Sequence, residues 1–284
     1  MIQNFNNTRK TFFCFSLFFA LLIGLPAKMM AQSVGVPELQ GSIAKNLNAS
    51  YKVEAESTTY TPLTGGTVIL GSAIGNAPPG AGLENYIPLG FVFTMGCYDY
   101  DQFYLTSNGV LSLGIKGVKN SDFKVPRTLS GTVFTPQANK PGYAFLAPFW
   151  SADLKKTGHS FTYKVTGAEG SRVFTGEWTK WGWGSGGDDN SISFQVKIYE
   201  GTNVVEYIYN QEAGTFSGNA AIGIYYDVYT ATPKQVGLGS VTANPIVNGN
   251  LSSAITTRPA SGQLYRFLNQ DEGLECTHYG QAVI

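Results

Sequence analysis

Charge is scarce in this sequence. Only 13% of its 284 residues are Asp, Glu, Lys or Arg, about half the usual share of ~25%. The two signs balance at 19 each, so nothing electrostatic points to nucleic acid or an anionic membrane surface. Histidine is rarer still: His159 sits in a loop context and His278 near the end of the sequence. The cysteines, Cys14, Cys97 and Cys276, form no CxxC and no Cys/His grouping at zinc spacing. No GxSxG, HExxH or phosphate-cradling glycine loop occurs. These absences weigh against nucleic-acid binding, zinc chemistry and triad hydrolysis, and no cofactor is expected. After the first 31 residues there is also no capped helical stripe, no internal repeat and no linker. A βαβ fold is thereby disfavoured.

The single long apolar run lies at the start. Arg9 and Lys10 precede "TFFCFSLFFALLIGLP", and "MMAQS" places Ala31 at a cleavage edge. This is the pattern of a secretory signal over residues 1–31. The run is short of the ~20 apolar residues a membrane span needs, so no span is expected once the signal is removed. Removal takes away Arg9, Lys10 and Lys28 and no acid, leaving a slightly negative chain. Cys14 is lost with it. Cys97 and Cys276 then form one possible disulfide in an oxidising compartment, or stay as two unpaired thiols.

What is abundant is β-forming. Aromatics make up 13% of the residues, and 34 glycines are scattered among short apolar runs. Residues 32–50 read as a polar lead-in, and a β domain is expected over residues 51–268, followed by a tail at 269–284. "YKVEAES", "IPLGFVF", "YAFLAPFW", "AAIGIYYDVY" and "GQLYRF" read as strands. "DQFYLTSNGVLSLG" reads as two strands about Asn108-Gly109, a tight-turn signal. In "SISFQVKIYE", Ile192, Phe194, Val196 and Ile198 alternate with Ser193, Gln195 and Lys197. That period of two marks a strand with one dry and one wet face. Turn signals recur about every 8–12 residues, which points to an all-β antiparallel sandwich or jelly-roll-like single domain.

The order "FYLTSNGVLSLG", "LAPFW…DL", "FTYKVTG", "RVFTGEW" and "SISFQVKIYEGTNVVEYIYN" resembles the nidogen-like β domain. It is most similar to the form found in secreted and surface proteins of Bacteroidetes bacteria. One departure is Asp153, which comes one place later after Trp150 than the family pattern has its acid. The resemblance implies adhesion, matrix or surface binding rather than catalysis. An extracellular protein or glycan is the implied partner.

Chemistry is sought first in "EWTKWGWGSGGDDNSISF". Strand parity places Phe174 and Trp178 in the core. An unbroken strand then sends Glu177, Thr179, Trp181 and Trp183 to the solvent face, with Gln195, Lys197 and Tyr199 beside them; a bulge near Gly182 would instead turn one tryptophan inward, or the irregular Ser121–Pro141 loop would cover both. Aromatic planes next to polar groups suit stacking on sugar rings or on a protein partner. The rival reading is a glycan-active enzyme using Glu177 and Glu206, two carboxylates on nearby strands. A third is a structural assembly subunit. Asp99 with Asp101, and Asp188 with Asp189, are weak calcium candidates, because neither pair supplies the six to eight oxygens the ion takes.

Overall fold

A computed structural model describes residues 51–70, 74, 87–96, 98–115, 144–152, 154–155, 159–183, 190–226 and 234–270. All of them fall in the unit Gln40–Ile284. The expected signal and lead-in, Cys97, Cys276, Asp153, Asp188, Asp189 and the expected tail beyond Gln270 lie outside the described residues. The strands, in chain order, are β1 (Tyr51–Ser57), β2 (Thr67–Leu70), β3 (Ile87–Met95), β4 (Tyr98–Leu105), β5 (Leu111–Gly114), β6 (Ala144–Trp150), β7 (Leu154–Lys155) and β8 (Ser160–Thr166). They continue with β9 (Val173–Trp183), β10 (Ser191–Tyr199), β11 (Val205–Gln211), β12 (Ala221–Tyr226), β13 (Lys234–Leu238), β14 (Val247–Asn248) and β15 (Gln263–Asn269). Among the described residues there is no helix, and hence none long and apolar enough to cross a membrane.

Two antiparallel sheets form, as the spacing of turn signals predicts. The first runs β1-β15-β11-β10-β9-β8-β2, with β7 also paired to β9. The second runs β14-β13-β12-β6-β5-β4-β3. Alternation decides which side chains meet between them. On β3, Leu89, Phe91, Phe93 and Met95 are buried while Pro88, Gly90 and Val92 are exposed. On β10, Ile192, Phe194, Val196 and Ile198 all reach the core.

The sheets meet through aromatic rings. Phe103 of β4 lies 6.3 Å from Phe161 of β8 and 4.9 Å, edge-on, from Phe174 of β9. Phe149 of β6 lies 5.9 Å from Phe194 of β10. Two tyrosines of β11 cross the core and end on backbone of the opposite layer. The Tyr207 hydroxyl donates to the Gly223 carbonyl at 2.9 Å, and the Tyr209 hydroxyl to the Pro148 carbonyl at 2.6 Å. Burial pushes both phenols well above their ordinary range. A buried hydroxyl needs a partner, and a carbonyl freed by sheet irregularity needs a donor, so each bond removes two desolvation costs. On its outer face the second sheet is covered too, where Leu251 packs with Val110, Phe145, Ala147, Trp150, Ala221 and Tyr225.

An ion pair ties the end of the first sheet to the edge of the second. Arg172 donates from Nε to Glu200 at 2.7 Å, and its Nη1 donates to the Gly90 carbonyl on β3 at 2.8 Å. The Glu200 carboxylate also accepts from the backbone N–H groups of Gly170 and Arg172. The side-chain bond from Arg172 is the largest cause that lowers the Glu200 pKa to about 2, from an ordinary 4.5. A carboxyl with a depressed folded-state pKa adds stability above its unfolded value and loses it as pH falls through the folded one. The contribution of Glu200 is therefore complete above about pH 4.5 and gone below about pH 2. Melting temperatures of the parent and Glu200→Gln are expected to separate at pH 6 and converge near pH 2. A constant gap across that range would contradict the pairing.

Candidate functional site

The site begins with an irregularity in β9. Up to Trp178 the strand alternates as expected, with Phe174 and Trp178 fully buried. Gly176, between them, lies against the Phe161 ring, where an added Cβ would come within 2.6 Å of its Cζ. The register with β10 then slips. Trp178 faces Phe194, but Trp181 faces Ile192. Thr179 and Lys180 together oppose the single residue Ser193, which is a β-bulge. Lys180 takes φ 52°, in the left-handed region, and its N–H donates to the Ser193 hydroxyl at 2.9 Å.

The bulge changes the parity of everything after it. Trp181 and Trp183, expected on the solvent face, point into the core and are fully buried. The Trp181 indole N–H donates to the Ser160 carbonyl at 2.8 Å and that of Trp183 to the Thr215 carbonyl at 3.1 Å. Trp183 meets Phe216 edge-on at 5.0 Å, and the Arg258 guanidinium lies over its ring. The two-tryptophan surface that an unbroken strand would present is not formed.

The polar half of the expected surface is also altered. Glu177 and Gln195 lie on the outer face, as parity requires, but both are buried. The segment between β1 and β2 crosses over them. Leu63 N–H donates to Glu177 Oε2 at 2.5 Å, and Gln195 Nε2 donates to the Thr61 carbonyl at 2.8 Å and to Glu177 Oε2 at 2.7 Å. The Thr179 hydroxyl donates to the other Glu177 oxygen at 3.1 Å. Tyr60 lies in the same group, its phenol pushed up first by burial and then by the Glu177 charge. Glu206 accepts from the Tyr199 hydroxyl at 2.6 Å and from Arg266 Nε at 2.7 Å. Lys197 is half-buried opposite Glu206 on the neighbouring strand.

Glu177 and Glu206 therefore do not form a pair across a cleft. Glu177 pairs with Gln195, Glu206 with Lys197, on strands either side of β10. Two strand spacings and two residues put their backbones ~12 Å apart, and each carboxylate is held by groups of its own. Of the calcium candidates within the described residues, Asp99 accepts from the Thr94 hydroxyl at 2.7 Å. Among the described residues no three His, Cys, Asp or Glu side chains cluster as metal ligands would.

What the bulge does create is an open depression of about 390 Å³ on the outer face. It is lined by His159, Ser160, Thr179, Lys180, Ser191, Glu212 and Ala213. It sits where β9 leaves β8, whose last pair is Ser160 with Thr179, and goes on to pair with β7. The His159 ring lies 6.5 Å from Trp181, tilted by 33°. Glu212 Oε1 accepts from Ser193 Oγ at 2.6 Å and from Asn210 Nδ2 at 2.9 Å. Arg258 Nη1 donates to the carbonyls of Ser191 and Glu212, both at 2.8 Å, and so fixes the rim.

Of the seven lining residues only Thr179 shares the parity of the expected surface, and the other six lie outside it. A signal for them was nevertheless present in "WTKWGW". Tryptophans three and then two residues apart cannot share one face of a regular strand. Either one is solvent-exposed or the strand bulges, and a bulge places Thr179 and Lys180 at a new concavity.

Residues 50–269 match the family model described as NIDO related, whereas no curated protein and no solved structure matches the chain. The matched span opens one residue before β1 and closes at the last residue of β15, so it takes in both sheets and the depression. The resemblance carried by the five ordered sequence landmarks is borne out: the chain belongs to the NIDO-related family of nidogen-like domains.

Proposed function

We propose that this protein is an exported, non-catalytic interaction module that recognises a saccharide in the depression beside the β9 bulge. Membership of the NIDO-related family supports an extracellular module, and the basic-then-apolar opening of the sequence supports export with loss of residues 1–31. The observation that carries the ligand class is the lining. Three hydroxyl residues, Ser160, Thr179 and Ser191, line an open concavity together with His159 and Glu212. Sugar hydroxyls both donate and accept, and this mixture offers both. An open, shallow site suits binding to part of a long polymer better than enclosing a small substrate.

The test is a glycan array probed with the purified protein and with His159→Ala. Binding of the parent to one saccharide class is expected. The variant should bind about tenfold more weakly, the size of one lost good contact, with an unchanged melting temperature. An array with no bound glycan overturns the saccharide reading, and equal binding by the variant moves the site elsewhere. N-terminal sequencing of exported protein should begin near Gln32; a chain retaining Met1 contradicts export by cleavage.

A further inference from the structure

We infer that the depression selects an anionic saccharide, one bearing carboxylate or sulfate groups, and that Lys180 is the residue that makes the selection. The inference rests on the saccharide reading of this site and goes on to name the charge of its ligand.

Lys180 is an unusual residue for its backbone. At φ 52° a side chain with a Cβ is disfavoured, and glycine or asparagine meets such a bulge at lower cost. Strain of this kind collects at functional positions and persists when the surrounding structure over-determines it. The bulge itself needs only the Lys180 N–H, which Ser193 accepts. The ammonium contributes nothing to that bond. Among the described residues it forms no ion pair and no hydrogen bond, and the residue is exposed at the rim of the depression.

The one carboxylate in the lining does not neutralise it. Glu212 Oε1 already holds the Ser193 hydroxyl and the Asn210 amide. The charge of Glu212 also acts on Arg258, which binds the backbone of the same turn. Among the described residues, Lys180 is therefore the cation of the lining that no carboxylate binds. The surrounding chain leans the other way, because loss of residues 1–31 removes Arg9, Lys10 and Lys28 and no acid. A lysine unpaired among the described residues, on an otherwise slightly acidic chain, favours anionic groups at that place and repels them elsewhere. Carboxylate and sulfate share the needed chemistry, an oxyanion accepting from an ammonium.

The experiment is calorimetric titration of the purified protein with three oligosaccharides of matched length: a polyuronate, a sulfated galactan and a neutral galactan. The parent is expected to bind at least one anionic probe about tenfold more tightly than the neutral one. That preference should weaken as salt rises from 50 to 300 mM, since added ions screen an exposed contact. The informative variant is Lys180→Gly. Glycine suits the left-handed bulge, so the melting temperature should hold or rise, while the preference for the anionic probe disappears. Lys180→Arg should retain it. Preference for the polyuronate alone, or for the sulfated probe alone, supports the inference and identifies the oxyanion. Equal binding of all three probes, or a preference that survives in Lys180→Gly, overturns charge selection and leaves the saccharide reading standing. Binding of none of the three, together with an empty glycan array, removes both.

Discussion

Trp178→Ala is expected to cost ~3–5 kcal/mol of folding stability, as deletion of a large buried aromatic does. Its ring stacks on Phe194 at 4.7 Å with 18° between planes, and meets Phe161 edge-on at the same distance. It is thus held by a ring from each of the two strands that flank β9. Trp181→Ala and Trp183→Ala are expected to cost comparable amounts, because both rings are fully buried. Each of these two also leaves a carbonyl, of Ser160 or Thr215, without its indole donor. Urea unfolding of the three single variants reads the effect as a shift in midpoint at unchanged slope. If Trp181→Ala and Trp183→Ala both stayed within ~0.5 kcal/mol of the parent, the usual range for surface substitutions, the rings would be on the surface. The bulge that turns them inward would then be wrong, and the depression it creates with it.

That comparison also marks where the sequence stops being legible. Period-two alternation identified the dry side of β10, because one strand's inward residues depend only on local geometry and burial. Ile192, Phe194, Val196 and Ile198 are all in the core. The wet side differs from what alternation alone predicts. Ser193 and Gln195 are polar, yet buried, since the segment around Thr61 and Leu63 lies over that face. The bond from Leu63 to Glu177 joins residues 114 apart, and no local pattern carries contacts of that range. β7, β13 and β14 carry no local pattern either. β7 and β14 are two residues each, and "KQVGL" in β13 is too short and too polar to stand out. The candidate surface failed for one further reason: a single inserted residue reverses the parity of all that follows. The same insertion produced His159, Lys180 and Glu212 as neighbours, residues whose contexts in sequence have nothing in common.

Gly109→Ala, although a small substitution, is expected to cost ~2–5 kcal/mol. Sequence marked Asn108-Gly109 as a turn, and it lies in the connection from β4 to β5, closed by the Thr106 N–H to the Val110 carbonyl at 3.0 Å. The turn is also docked against β6, since the Ser151 N–H donates to the Asn108 carbonyl at 3.1 Å. Two separate penalties then meet at Gly109. Its φ of +81° lies in the left-handed region, which costs an L-residue with a Cβ ~1–2 kcal/mol. A Cβ there would also stand 2.2 Å from the Phe149 carbonyl oxygen and 2.7 Å from Leu154 Cδ1. Backbone of a fully buried strand cannot yield cheaply, and overpacking of this kind adds ~1–3 kcal/mol. Gly170 separates the two terms. It has nearly the same dihedral, φ +85°, but nothing lies within 4 Å of its added Cβ. Gly170→Ala should therefore show only the conformational cost, ~1–2 kcal/mol. Denaturation midpoints of the two variants, measured side by side, should differ by the packing term. Equal losses would mean that the turn does not press on β6, and that the Asn108-Gly109 connection is set by backbone preference alone.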